Sequence, residues 1–562
     1  MRIVYSHVAP RQHRNRLIGG ILTVVLCALI AGMPAWAQLG PPPVPAQNPQ
    51  TPEKIALGKA LFWDEQLSLT GTVACGTCHR PQAGGADPRT TPLNATHPGP
   101  DEIFGTDDDM HGSPGVVAHG ADGHYRPSPY FGLNTQVGRR VAPSVYDAAY
   151  APRLFWDGRA EGTFFDPETF QTLIPSGGAL ETQSLNPLVD TSEMGHAGST
   201  MAGAGERIDG VIPLALATDV PPALASFIDG RGYPSLFEEV FGTPEISAAR
   251  IAFALASYQR ALAQTETPWD LELAGIPTLT DQERAGRLQF QRLRCHICHG
   301  GPRLGDNSFR YIGVRPVEED LGRFNQTGSN GDRGAFRVSS LRNIGLRGPF
   351  MHNGGLETLD EVLSFYKRGG DFDAPNKDEL IGPLFLNDQE RADLLVYLVD
   401  ALTDPRIVAE QPPYDRPTLY TESALVATIT GSGEPGASGV PLIAALEPPI
   451  ISNRNFTVTL SNVPIGSTAT LVVSRTDPGL QSTVPVGDFA NISGAAVGMS
   501  GFQGGYLSTQ VNLAVDPTLT GQTLYGRYYV ADPVAANQLS ISRAFEITVF
   551  GELDWLLVDG FE

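Results

Sequence analysis

The sequence predicts a mainly α-helical chain built as two like halves, followed by an all-β, sandwich-like module. Three observations predict it. Cys75-Gly-Thr-Cys78-His79 and Cys295-His-Ile-Cys298-His299 repeat one motif, far apart in the chain. Each copy is approached by a segment with helix start signals and apolar residues at three- and four-residue spacing. From about Pro413 the texture becomes Val/Thr/Ser alternation broken by Gly, Asn and Pro, as in Phe456-Thr-Val-Thr-Leu and Ala544-Phe-Glu-Ile-Thr-Val-Phe, the pattern of short strands and turns.

At 562 residues the chain exceeds what one core supports. Arg2, Arg11, Arg14 and Arg16 precede the apolar run Leu17–Met33 and the small-residue site Ala35-Trp-Ala37, which reads as a signal peptide over 1–37, cut before Gln38. An uncleaved anchor is the alternative. Export to the periplasm or another extracytoplasmic space follows, Cys27 leaves with the signal, and no membrane span remains. Loss of those four arginines takes the formal charge from −22 to −26. Such a field disfavours nucleic acid and anionic membranes and suits a cationic partner.

In order, 38–50 is rich in Pro and Gln and reads as a linker. Thr51-Pro52 opens a helix with Ile55, Leu57, Leu61 and Phe62 on one side. From Pro81 to Leu133 there is little periodicity; its acidic run Asp101–Asp109 reads as a solvated loop, with calcium held by its carboxylates as the alternative, and any of the segment's histidines, His97, His111, His119 and His124, has the chemistry to reach an iron. Ile246–Ala263 is helical by its period. The capping box Thr280-x-x-Glu283 starts a helix into the second motif, and Thr358-x-x-Glu361 starts one ending at Gly369, with Tyr366 on its inward face. Asn387 to Leu402 forms a further helix. The expected divisions are 51–245, 246–405, a β module over 413–550 and an acidic tail over 551–562.

C-x-x-C-H is the attachment signal for c-type haem: two thiols add to the vinyl groups, and the histidine supplies an imidazole to the iron. Zinc is the competing reading, but zinc sites bring their cysteine pairs together within short loops, whereas more than two hundred residues separate these. A thioredoxin-like pair has no need of a histidine after each second cysteine. Two covalently bound haems are expected, with Cys75, Cys78, His79, Cys295, Cys298 and His299 holding them.

Residues from about 52 to 404 resemble the bacterial dihaem cytochrome c peroxidase family with its MauG branch. The likeness rests on Leu57-Gly-Lys-Ala-Leu-Phe, Phe155-Trp-Asp-Gly-Arg-Ala160, Phe336-Arg-Val-Ser-Ser-Leu-Arg-Asn343 and Pro349-Phe-Met-His-Asn-Gly354. It implies two cytochrome c-like haem domains. His79 is then the proximal ligand of the peroxidatic haem and His299 that of the electron-transfer haem, Trp156 stands between them, and Glu193 and Gln183 line the distal side. Fourteen residues after His352, Tyr366 takes the second axial position of the electron-transfer haem, as in MauG, where ordinary members have methionine; Met351 is the fallback. The family's blocking histidine aligns with Leu133. The inter-haem calcium the resemblance implies is put in doubt, because its asparagine and one of its threonines align with Val141 and Arg347, leaving Pro349 alone unchanged; the Arg347 guanidinium is expected to carry the positive charge there. A homodimer is also implied, with no interface legible.

The expected activity is reduction of hydrogen peroxide, with electrons from a small cytochrome c or cupredoxin. A MauG-like oxidase of a partner protein or organic substrate, a dihaem electron carrier without peroxide turnover, and a surface-docking β module with the haem domains as cargo are the alternatives.

Overall fold

The computed structural model describes residues 39–91 and 95–551. The expected signal peptide and all of the expected tail except Gly551 lie outside the described residues. Among those described, no helix is long and apolar enough to cross a membrane.

The first half is organised on the Pro52–Trp63 helix. Thr51 caps it by accepting from the Lys54 N–H at 3.2 Å, and Pro52 sits in the first turn, where no backbone donor is needed. Leu57, Ala60, Leu61, Phe62 and Trp63 are buried and pack with Ile251, Leu255 and Tyr258 of the Ala248–Ala261 helix. The approach is close because residue 58 is glycine: a Cβ there would lie 1.9 Å from the Ala254 carbonyl oxygen and 2.9 Å from Tyr258 Cβ. The Ala248–Ala261 helix, expected at 246 to open the second half, thus belongs to the core of the first.

The second half repeats the device. The Asp281–Arg292 helix, closed by the Thr280–Glu283 capping box, lies on Asp388–Val396. Gly286 permits it, since a Cβ would come 2.0 Å from the Asp393 carbonyl oxygen and 2.7 Å from Tyr397 Cβ. The expected helix to Leu402 is regular only to Val396 and then widens into a π turn over Tyr397–Ala401. The two halves meet at the buried Asp147 of the first, which accepts from Ser340 at 3.0 Å and lies 4.0 Å from Arg342; Arg342 is itself held within the second half by Asp270, which both Nη atoms grip at 2.6 and 2.5 Å.

Two segments depart from expectation. Residues 39–50 are no free spacer: Asn48 is fully buried and donates to Glu181 at 2.8 Å, completing the buried Glu181–Arg260 pair, and Gln50 donates to the Ser257 carbonyl. A segment without periodicity is fixed here because it satisfies buried polar groups. Residues 405–423, at the expected start of the β module, form a strap on the first half. Ile407, Tyr414 and Leu419 enter its core, Lys59 pairs with Asp415, Arg80 with Glu422, and the Glu65 carboxylate accepts from the Tyr420 N–H and the Thr421 hydroxyl, both at 2.6 Å.

Beyond the strap stand two antiparallel sheets. Leu442–Ala445, Phe456–Val463 and Gly505–Val511 form one. The other runs in the order Ala490–Ala495, Thr468–Ser474, Thr523–Ala531, Ala544–Thr548, Thr428–Thr430, with Leu539–Ile541 beside Thr523–Ala531. Phe456, Val458, Leu460, Leu471, Val473, Leu524, Tyr528 and Phe545 fill the space between. The second face of the Phe456–Val463 strand is also covered, so Thr457 and Thr459 are buried where simple alternation exposes them. The cover is a loop of the first half: Tyr125 N–H donates to Ser508 Oγ, Gln510 to the Asp122 carbonyl, and Thr457 to the Gly123 carbonyl.

Candidate functional site

Cys75–Cys78 forms one helical turn, started where the Ala74 N–H donates to Thr77 Oγ1 at 2.8 Å. Gly76 is required because a Cβ would enter the Trp63 ring, 2.2 Å from its Cε3. The turn leaves both thiols and His79 on one rim. His79 Nδ1 lies 3.0 Å from the Gly85 carbonyl oxygen. A carbonyl only accepts, so Nδ1 carries the proton and Nε2 keeps its lone pair for a ligand-binding role. Gly84 and Gly85 both have positive φ, 58° and 80°, which brings that carbonyl round.

His79 and Cys78 face a cavity of about 820 Å³ whose wall also holds Gln183, Glu193, Arg159, Gln259 and Trp156. A recess of about 40 Å³ beside it is lined by Cys75, Cys78, His79, Gln183, Glu193 and Met194. Glu193 stands on a tight turn in which Glu193, Met194 and Gly195 all donate to the Asp190 carbonyl. Gly115 presses on the back of this turn, where a Cβ would meet Ser192 O at 2.0 Å. Burial pushes the Glu193 carboxyl up to about 7, Asp190 adds to the rise, and Arg159 opposes it. The group is therefore poised between acid and carboxylate near neutrality.

The second motif forms a 3₁₀ turn over Cys295–Ile297, and His299 Nδ1 lies 3.3 Å from the Leu304 carbonyl oxygen, the same arrangement as at His79. Its cavity, of about 290 Å³, is lined by Cys295, Cys298, His299, Met351, Tyr366 and Trp156 among others. Trp156 is thus in the walls of both cavities. It is fixed there by donation from Nε1 to the Val141 carbonyl at 2.9 Å, by donation of the Arg337 N–H to its own carbonyl, and by Phe155 at φ 64°.

Thiol pairs and imidazoles whose Nδ1 faces a carbonyl fit haem in both places; the His299 cavity has largely apolar walls, and the His79 cavity mixes apolar with charged side chains. The second wall also offers polar sockets: Ser339 Oγ and Arg347 Nε are buried there without a hydrogen-bond partner. None of His97, His111, His119, His124 or Leu133 is in the wall of the His79 cavity; His119, for one, is buried elsewhere with Nδ1 on the Val117 carbonyl. Of the residues aligned with calcium ligands, Arg347 turns inward and donates from Nη2 to the carbonyls of Ser340 and Arg342. No group of three or more His, Cys, Asp or Glu able to hold a metal ion occurs among the described residues.

Sequence reasoning gave no role to Gln259, Arg159 or Asp190. Arg159 sits inside the Phe155–Ala160 motif and was legible in principle. Gln259 comes from a different helix, 76 residues from Gln183, and nothing in its spacing marks it.

Residues 52–277 match the family model described as di-haem cytochrome c peroxidase. The chain is 30% identical over 371 residues to the methylamine utilization protein MauG of Methylorubrum extorquens, covering 65% of this chain and 83% of that protein. It is 29% identical over 427 residues to the cytochrome-c peroxidase IdrP1 of Denitromonas iodatirespirans, covering 68% and 92%. Among solved structures, a MauG-like protein associated with microbial copper homeostasis aligns at 27% identity with a TM-score of 0.48, over 69% of this chain and 98% of that one. The family match and the sequence relatives define an oxidoreductase of the dihaem peroxidase kind. The chain belongs to the dihaem cytochrome c peroxidase family, which includes MauG.

Proposed function

We propose that the protein is an exported peroxidase carrying two covalently bound haems, which reduces hydrogen peroxide at the haem of His79. Electrons come from the haem of His299 by way of Trp156 and, ultimately, from a small cytochrome c or cupredoxin. The observation that carries this reading is the position of Trp156 in the wall of both cavities, one of which also holds Glu193 and Gln183 beside His79.

Cys75, Cys78 and His79 would hold a haem, which would supply the redox-active iron for cleavage of the O–O bond. Each peroxide takes up two electrons and two protons and leaves as two waters. Glu193, as carboxylate, takes the proton from one peroxide oxygen through its Oε atoms and returns it to the other, so that the leaving oxygen departs as water. Gln183 and Gln259 offer amide hydrogen bonds in the same wall to orient the substrate. Arg159 favours the ionised form of Glu193. Trp156 offers the aromatic path for the electron, and its Nε1–H bond to the Val141 carbonyl holds the ring in place.

Stopped-flow mixing of the fully reduced protein with one equivalent of hydrogen peroxide tests the reading. Both haem spectra should oxidise together. If both ignore peroxide in the reduced and ferric states alike, the protein is an electron carrier. A second reading, oxidation of a partner protein or organic substrate, is supported by Tyr366 in the His299 cavity wall and by the absence of the loop histidines from the His79 cavity wall. It is the better one if the ferric protein reacts with peroxide without prior reduction.

A further inference from the structure

We propose that Arg347, with Arg337 beside it, is the seat of the porphyrin carboxylates in the His299 cavity, and so a fixed positive charge between the two haem sites. The proposal rests on the haem reading above.

Both arginines line that cavity. Its other arginines include Arg310, paired with Asp378 and Asp306, and Arg315, paired with Glu319. Arg337 and Arg347 have no ion-pair partner among the described residues. The Arg337 side chain donates to the Phe155 carbonyl at 3.3 Å and to Asn307 Oδ1 at 3.2 Å. Arg347 uses Nη2 on two carbonyls and leaves Nε buried without a partner, as is Ser339 Oγ in the same wall. Asp147, the carboxylate that acts on Arg347, is shared with Arg342, Arg303 and Ser340. Burial brings both guanidinium groups down to about 10, and for Arg337 the neighbouring Arg303 and Arg347 contribute. Two adjacent cations facing one cavity, with a single shared carboxylate near them, are destabilising, and a dicarboxylate in that cavity relieves this.

The same side chain touches the first site. A Cβ on Gly84 would lie 3.0 Å from Arg347 Cγ. Gly84 precedes Gly85, whose carbonyl orients His79. One residue of the second half therefore links the carboxylate edge of one cavity to the turn that holds the axial imidazole of the other.

The test is spectroelectrochemistry of the haem-loaded Arg347→Gln and Arg347→Lys variants, with haem counted by pyridine haemochrome. Loss of the charge in Arg347→Gln should shift the midpoint potential of the His299 haem to lower values, and Arg347→Lys should restore most of the shift. Resonance Raman spectra give a second readout: the porphyrin propionate bending mode should move in Arg347→Lys, where a two-point donor becomes a one-point donor. That comparison holds even where Arg347→Gln does not assemble. Two haems per chain with an unmoved potential in Arg347→Gln, or an unmoved propionate mode in Arg347→Lys, overturns the proposal. Fewer than two haems in the wild-type chain overturns the haem reading instead.

Discussion

In the proposed reaction Glu193 sets the response of the site to pH near neutrality. Its carboxyl, raised to about 7 by burial, is mostly protonated below that pH and cannot accept a proton from peroxide. Peroxide turnover should therefore rise as pH increases through about 7. Glu193→Gln should lose ~100- to 10,000-fold in kcat/KM and lose that pH limb as well, measured by steady-state kinetics with an artificial donor. Trp156→Phe should leave peroxide reaction at the His79 haem but slow the accompanying change at the His299 haem, seen by following each haem's spectrum separately. The residues proposed to carry this chemistry divide into two kinds. Cys75, Cys78, His79 and their counterparts were legible because local spacing alone dictates them. Glu193 was recognised only through the family motif, and Gln259 not at all, because the cavity gathers side chains from separate elements and no local pattern records where a loop ends in space.

At the scale of elements, helix starts were well marked: Thr51, Ser247, Thr280, Thr358 and Asn387 each accept from the backbone as caps. Less visible was the common construction of the halves. Leu57-Gly58-Lys-Ala-Leu-Phe62 and Ala285-Gly286-Arg-Leu-Gln-Phe290 place a glycine four residues before a phenylalanine, and each glycine seats its helix on a backbone carbonyl of the crossing helix. Both lie mid-helix, where glycine is unfavourable for propensity alone, so close approach is the reason for them. Gly286→Ala should destabilise the second half by about 1–3 kcal/mol through overpacking, read as a lower denaturation midpoint. Residues 39–50 and the strap escaped notice for the opposite reason: their role is to satisfy buried polar groups and fill gaps, which leaves no period in the sequence.

At the scale of the molecule, the β module and strap are bound to the first half partly through buried carboxylates. Glu65 receives the strap, and Glu447 lies buried beside Tyr125; burial raises both to about 7. A folded pKa above the unfolded value means the native chain holds those protons more tightly. Their contribution is then fully present below about pH 4.5 and is lost as pH rises through about 7, by about 3 kcal/mol for each group. Calorimetry should show a higher unfolding temperature at pH 5 than at pH 8, and Glu65→Gln with Glu447→Gln should reduce that difference. A chain ending at 412 should also be less stable than one ending at 426, because the shorter one lacks Tyr414 and Leu419 of the first core. The strap also constrains the timing of biogenesis. Arg80, next to His79, meets Glu422 only after 342 further residues have been made, which at roughly 5–20 residues per second is on the order of tens of seconds. Until then the first half lacks Ile407, Tyr414 and Leu419 of its own core, so its packing is completed only late in synthesis.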